Sequence, residues 1–175
     1  GVGRGSSLTV ELPAAPASAL RPPAARPERR GSNEGALGGV RIWVLDDDPD
    51  AHEVAALTLR QSGALVQGAN SAAELAGMLE RALPAQGPDV LLIDLAMPGE
   101  DGFEALRRVR SLEMAFGSES YIPALALTAF TQVDREKLLA AGFTDRVDKP
   151  IDADKLVAAI RSALHENRRG EMRAA

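Results

Sequence analysis

Four runs of this chain lead into groups that can do chemistry. VRIWVL runs into Asp46, Asp47 and Asp48, VLLI into Asp94 and ALAL into Thr128, while FTDRV leads to Lys149 and Pro150. If the runs are strands of one sheet, a carboxylate cluster, a hydroxyl and an ammonium share an edge. Two carboxylates about 5 Å apart repel by roughly 3 kcal/mol at an effective dielectric near 20. A small divalent cation relieves that repulsion. Mg²⁺ favours octahedral oxygen ligands, takes one or two carboxylates and keeps water for the rest. Beside such a cation Asp94 stays anionic and can attack phosphorus, giving an aspartyl phosphate. The cation and Lys149 would neutralise the phosphoryl oxygens, and Thr128 would donate a hydrogen bond to one of them.

The elements that must hold these groups follow from periodicity. VRIWVL (40–45), ALVQGA (64–69), VLLI (90–93), ALALT (124–128) and FTDRV (143–147) are short runs bounded by turn residues. Between them lie helical patterns over 51–62, with Val54 and Leu57 at helical spacing, and over 71–83, where Ser71 and Glu74 stand in capping-box register before Pro84. Further helices are expected over 102–110, over 131–141 with Gly142 as its C-cap, and over 152–166. Five strands alternating with five helices make an α/β fold, a doubly wound parallel sheet covered on both faces. In such a sheet ligands bind beyond the carboxyl ends of the strands, where the acids, Thr128 and Lys149 collect.

Residues 13–39 break the rhythm. Five of the eleven prolines, the glycines 31, 35, 38 and 39 and the arginines 21, 26, 29 and 30 lie there, as expected of a flexible linker. Before it, SSLTVEL alternates apolar and polar residues like one half-buried strand, which needs a sheet that the preceding residues do not supply. The chain therefore reads as cut from something longer. Residues 167–175 read as a polar tail. A net charge of −5 argues against nucleic acid or an anionic membrane as partner. No apolar run reaches the roughly 20 residues of a membrane helix. The absence of cysteine excludes disulfides and suits a reducing cytosol, so a cytoplasmic location is expected.

VLDDDPD, LLIDLAMPGEDGFEAL, PALALTAF and DKPID, in that order and at those gaps, resemble a response-regulator receiver domain over residues 40 to about 166. The resemblance implies a flavodoxin-like fold with strand order 2-1-3-4-5. It makes Asp94 the phosphoacceptor, Asp47 a direct Mg²⁺ ligand and Asp46 a ligand largely through metal-bound water. The backbone carbonyl of Ala96 becomes the third protein ligand, Thr128 the switch hydroxyl and Lys149 the phosphoryl-contacting lysine, followed by a cis peptide at Pro150. The pattern breaks at Arg146, where the family usually places a switch aromatic, so output through a swinging aromatic is not expected. Ala96 and Ala129 are small, which predicts ready access of water and a short-lived phosphoaspartate; a half-life of many hours at neutral pH would contradict this.

Residues 1–12, GVGRGSSLTVEL, resemble the closing segment of a histidine-kinase ATP-binding domain. Together the two resemblances imply a hybrid sensor histidine kinase, anchored upstream if it is a membrane protein, with this segment at its C-terminal end and unable to bind ATP usefully. The implied partners are a histidine kinase as phosphodonor, a histidine phosphotransfer protein and a second copy in a homodimer. Two other readings compete. An aspartate-nucleophile phosphatase would use Asp46 as nucleophile and Asp48 as acid/base with Mg²⁺, but Asp50 stands where that family expects a small residue. A degenerate receiver would serve only dimerisation. Asp48 and Asp50 read as a helix cap, and His52 and His165 as ordinary helix residues.

Overall fold

The computed structural model describes residues 35–83, 87–118, 121–129 and 134–174. The strand expected at SSLTVEL and most of the linker lie outside these residues. The elements are β1 (Arg41–Leu45), α1 (Pro49–Gln61), β2 (Leu65–Ala69), α2 (Ala72–Ala82), β3 (Val90–Asp94), a two-residue pair β4 (Ala96–Met97) and β5 (Glu100–Asp101), α3 (Gly102–Ala115), β6 (Ala124–Thr128), α4 (Arg135–Ala140), β7 (Asp145–Asp148) and α5 (Ala153–Ala174). Five strands form one sheet in the order β2-β1-β3-β6-β7, all pairs parallel. Counting only these five, the order is the expected 2-1-3-4-5.

Side-chain alternation divides the core into two layers. Trp43, Leu45, Leu91, Ile93, Ala124 and Ala126 pack against Leu75 and Leu79 of α2 and Leu106 and Val109 of α3. Ile42, Val44, Val90, Leu92, Leu125 and Leu127 pack against Leu59 of α1 and Leu156, Val157 and Ile160 of α5. Each fully buried aliphatic side chain contributes about 1.5–3 kcal/mol, which fixes the strand register that the site depends on.

The caps explain most helix starts. Asp48 caps α1, its carboxylate accepting from the N–H groups of Asp50 and Ala51. Ser71 caps α2 by accepting from Glu74 N, while the Glu74 carboxylate reaches back to Asn70 N at 2.9 Å. Gly142, with φ of 95°, follows the last turn of α4 as expected; the start expected for that helix, at 131–133, lies outside the described residues.

Several expectations need correction. In α1 the inward residues are Ala55, Ala56 and Leu59, whereas Val54 and Leu57 are 57% and 52% exposed. Alanines fit the close approach of α1 to the sheet, and the larger side chains are turned outward. Helix α3 runs on to Ala115 and α5 to Ala174, so the segment set apart as a polar tail continues the helix. Gly35–Gly39, assigned to the linker, form turns on the body of the domain: Leu37 is 1% exposed, its N–H donates to the Ser62 carbonyl, and Gly39 N donates to the Gly63 carbonyl.

Candidate functional site

Register brings the acids together. Leu45 pairs with Ile93 across β1 and β3, so one further step sets Asp46 beside Asp94. Both share the parity of the residues that face α1 and α5. Val147 in β7 has that parity too, and two residues on, Lys149 returns to the same side. Its Nζ lies 2.8 Å from Asp46 Oδ2 and 2.8 Å from Asp94 Oδ2. The Asp46 side chain is wholly buried and that of Asp94 nearly so.

The remaining carboxylate oxygens are held by the main chain. Asp46 Oδ1 accepts from Asp48 N at 3.0 Å, and Asp94 Oδ1 from Ala96 N at 3.1 Å. These bonds tie each carboxylate to the turn that follows its strand. Burial lowers the Lys149 pKa, but hydrogen bonds and charge from Asp46 and Asp94 outweigh it, holding the ammonium above the ordinary lysine value.

Asp47 completes the cluster. One carboxylate oxygen from each of Asp46, Asp47 and Asp94 lies within 4.8 Å of the others. Three carboxylates face one ammonium, and the donors are all hard oxygens. This set fits a small divalent cation, which would offset the excess charge.

Thr128 is fully buried at the end of β6, and its carbonyl accepts from Lys149 N at 2.7 Å. Its side chain has the parity of Ala124 and Ala126, which face the opposite layer. Ala96 is exposed and begins the β4–β5 pair, which closes around Gly99 with φ of 81°. The Lys149–Pro150 peptide is cis. Ala129 is exposed. Arg146 Nε lies 3.5 Å from Asp148 Oδ1, with its side chain 28% exposed.

Two supporting features escaped the sequence reading. Gly102 opens α3 directly against Asp94: a Cβ there would collide with the Asp94 carbonyl oxygen. The sequence signal was the glycine after Asp101, itself the α3 N-cap. The second is Glu113, a fully buried carboxylate inside α3. It binds Arg110 Nη1 at 2.8 Å and accepts from Ile122 N at 2.7 Å. An i,i+3 Arg-Glu pair resembles any surface pair in sequence, so nothing marked it.

A doubly wound parallel sheet with a three-carboxylate and lysine cluster at its carboxyl edge defines a class of α/β site proteins. The comparisons place this chain within it. The profile of the response regulator receiver domain matches residues 42–161, and the chain belongs to that family. An uncharacterised 14.6 kDa protein of Leptolyngbya boryana is 39% identical over 125 residues, covering 71% of this chain and 89% of its own length. Histidine kinase 1 of Arabidopsis thaliana is 30% identical over 162 residues, covering 75% of this chain but 13% of its own length. Among solved structures, the receiver domain of the Arabidopsis thaliana histidine kinase CKI1, in complex with Mg²⁺ and BeF₃⁻, matches with a TM-score of 0.66 and 26% identity, covering 75% of this chain and 94% of that one. Among the described residues no helix is long and apolar enough to cross a membrane.

Proposed function

We propose that this receiver domain accepts a phosphoryl group from a phosphohistidine onto Asp94 in a Mg²⁺-dependent reaction, as part of a hybrid sensor histidine kinase. The observation that carries the reading is the Lys149 ammonium, 2.8 Å from one oxygen of Asp94 and 2.8 Å from one of Asp46, at the mouth of the three-carboxylate cluster.

In the proposed transfer a carboxylate oxygen of Asp94 forms the new O–P bond as the N–P bond of the donor phosphoimidazole breaks, and the leaving imidazole keeps the electron pair. Lys149 neutralises a phosphoryl oxygen, and the Ala96 N–H keeps the Asp94 carboxylate oriented. Asp46, Asp47, Asp94 and the Ala96 carbonyl would hold Mg²⁺, whose chemistry is to neutralise phosphoryl charge. Thr128 would bond a phosphoryl oxygen once the acceptor is loaded. The kinase context is supported by the match to plant histidine kinases and by the CKI1 receiver; it makes the parent kinase the donor and a histidine phosphotransfer protein the next acceptor.

The geometry disfavours the phosphatase reading. Asp48, its required acid/base, is exposed and spends its carboxylate on the start of α1, while Asp46, its nucleophile, is wholly buried and bonded to Lys149. Intact mass after treatment with Mg²⁺ and a small phosphodonor tests the proposal. One phosphoryl group should appear on the wild type and none on Asp94→Asn. Steady turnover of a phosphomonoester that depends on Asp46 would overturn it in favour of a hydrolase. A wild-type chain that gains no mass would leave the dimerisation-only reading.

A further inference from the structure

The edge of the sheet presents a second surface. Among the described residues, strand β2 is terminal in the sheet and pairs with β1 alone. Leu65 N donates to the Val40 carbonyl and Asp46 N to the Ala69 carbonyl. Alternation along a parallel ladder therefore turns the main chains of Val66 and Gly68 outward. Protein edges are usually guarded by charge, proline or a bulge. This one reads LVQGA, with neither charge nor proline, and Leu65 is 60% exposed.

Beside the edge runs a groove of about 740 Å³ lined by Trp43, Leu65, Gln67 and Met78, with Arg60 and Arg81 on its walls. Arg41 also reaches the groove but is held by Asp89 at 2.6 Å. Among the described residues no acid lines the groove, and neither Arg60 nor Arg81 has an ion-pair partner. Each arginine occupies the last turn of its helix, where it complements the carbonyl end. That role does not require both to border one apolar groove beside bare main-chain groups. The groove lies at the starts of the strands, away from Asp94 and Lys149.

We propose that this edge docks an extended acidic segment of a partner protein. The segment adds a strand to β2 through Val66 and Gly68, covers Leu65 and Met78 with an apolar side chain, and sets carboxylates against Arg60 and Arg81. A lone small anion would leave the apolar floor and the open edge unused, which is why a peptide is the better occupant.

The full chain can be titrated with a synthetic peptide that alternates valine and glutamate, with lysine replacing glutamate in the control. Trp43 is the single tryptophan and reports from the groove. The glutamate peptide should change its emission saturably and shift the amides of Val66 and Gly68 most. Arg60→Gln with Arg81→Gln should weaken binding about tenfold with the helix content unchanged. Equal binding of the lysine peptide, indifference to the double substitution, amide shifts elsewhere or no binding would each overturn the proposal. So would inorganic phosphate that reproduces the emission change while Val66 and Gly68 stay still, since that marks a small-anion site. Phosphoryl labelling of Asp94 is read separately, so failure of docking and failure of the phosphoacceptor reading are distinguishable.

Discussion

The two ends of this sheet treat charge in opposite ways. At the strand starts, two acids are each matched by their own base. Asp89 binds Arg41 at 2.6 Å, and Glu113 binds Arg110 at 2.8 Å, with Arg110 also donating to the carbonyls of Ile122 and Gly142. At the strand ends, Asp46, Asp47 and Asp94 cluster together, and among the described residues Lys149 is the base bonded to the cluster, through Asp46 and Asp94. The balanced end clips the segments entering β1, β3, β6 and β7 to one another and to α3. The unbalanced end stores an excess of negative charge that a cation and a phosphoryl group together can use. Fold maintenance and chemistry are thus separated along the strand axis.

That separation can be broken from either side. The largest stability effect is expected at Glu113. Glu113→Ala strips Arg110 of a buried partner and leaves Ile122 N–H without its acceptor, which should cost about 3–5 kcal/mol in chemical denaturation. The fraction that stays folded should still take up label at Asp94. If labelling disappeared while the fold persisted, the two ends would be coupled.

Lys149→Met should act the other way, slowing phosphoryl uptake by about 100-fold, as loss of a donor to developing charge does. Its stability signature depends on pH. The folded Lys149 pKa is raised, so its stabilising contribution is complete below the ordinary lysine range and is lost as pH rises through the folded value. Metal-free wild type should therefore lose more stability than Lys149→Met across the alkaline range. Parallel pH profiles for the two proteins would show that the ammonium is not engaged as the structure has it.

The smallest change is expected at Asp89→Asn. Arg41 and Asp89 are 27% and 33% exposed, so water screens the pair and the loss should be about 1 kcal/mol or less, with labelling unchanged. A larger loss would mean that the main-chain bond from Arg41 N to Asp89, 2.8 Å long, carries more of the clip than the ion pair does.

The unbalanced end was more legible in the sequence than the balanced one. Asp46, Asp94 and Lys149 each stand just beyond a recognisable run, and period-2 alternation with parallel pairing leaves little freedom in where their side chains meet. Thr128 was placed by the same logic, as the last residue of β6 just beyond the Leu127–Asp94 pairing, with the strand parity of Ala124 and Ala126. The buried face of α1 was not legible: helical spacing marks Val54 and Leu57 as readily as Ala55, Ala56 and Leu59, and only the last three are buried. Glu113 and Arg110 were invisible because their partners, Ile122 and Gly142, are distant in sequence and contribute main-chain atoms.

The phosphoacceptor assignment is tested most directly by locating the label. After reaction with a small phosphodonor, borohydride reduction and peptide mapping should convert Asp94 alone, only when Mg²⁺ is present, and not in the Asp47→Asn variant. Modification at Asp46 or Asp47, or uptake at Asp94 indifferent to the cation, would contradict the account.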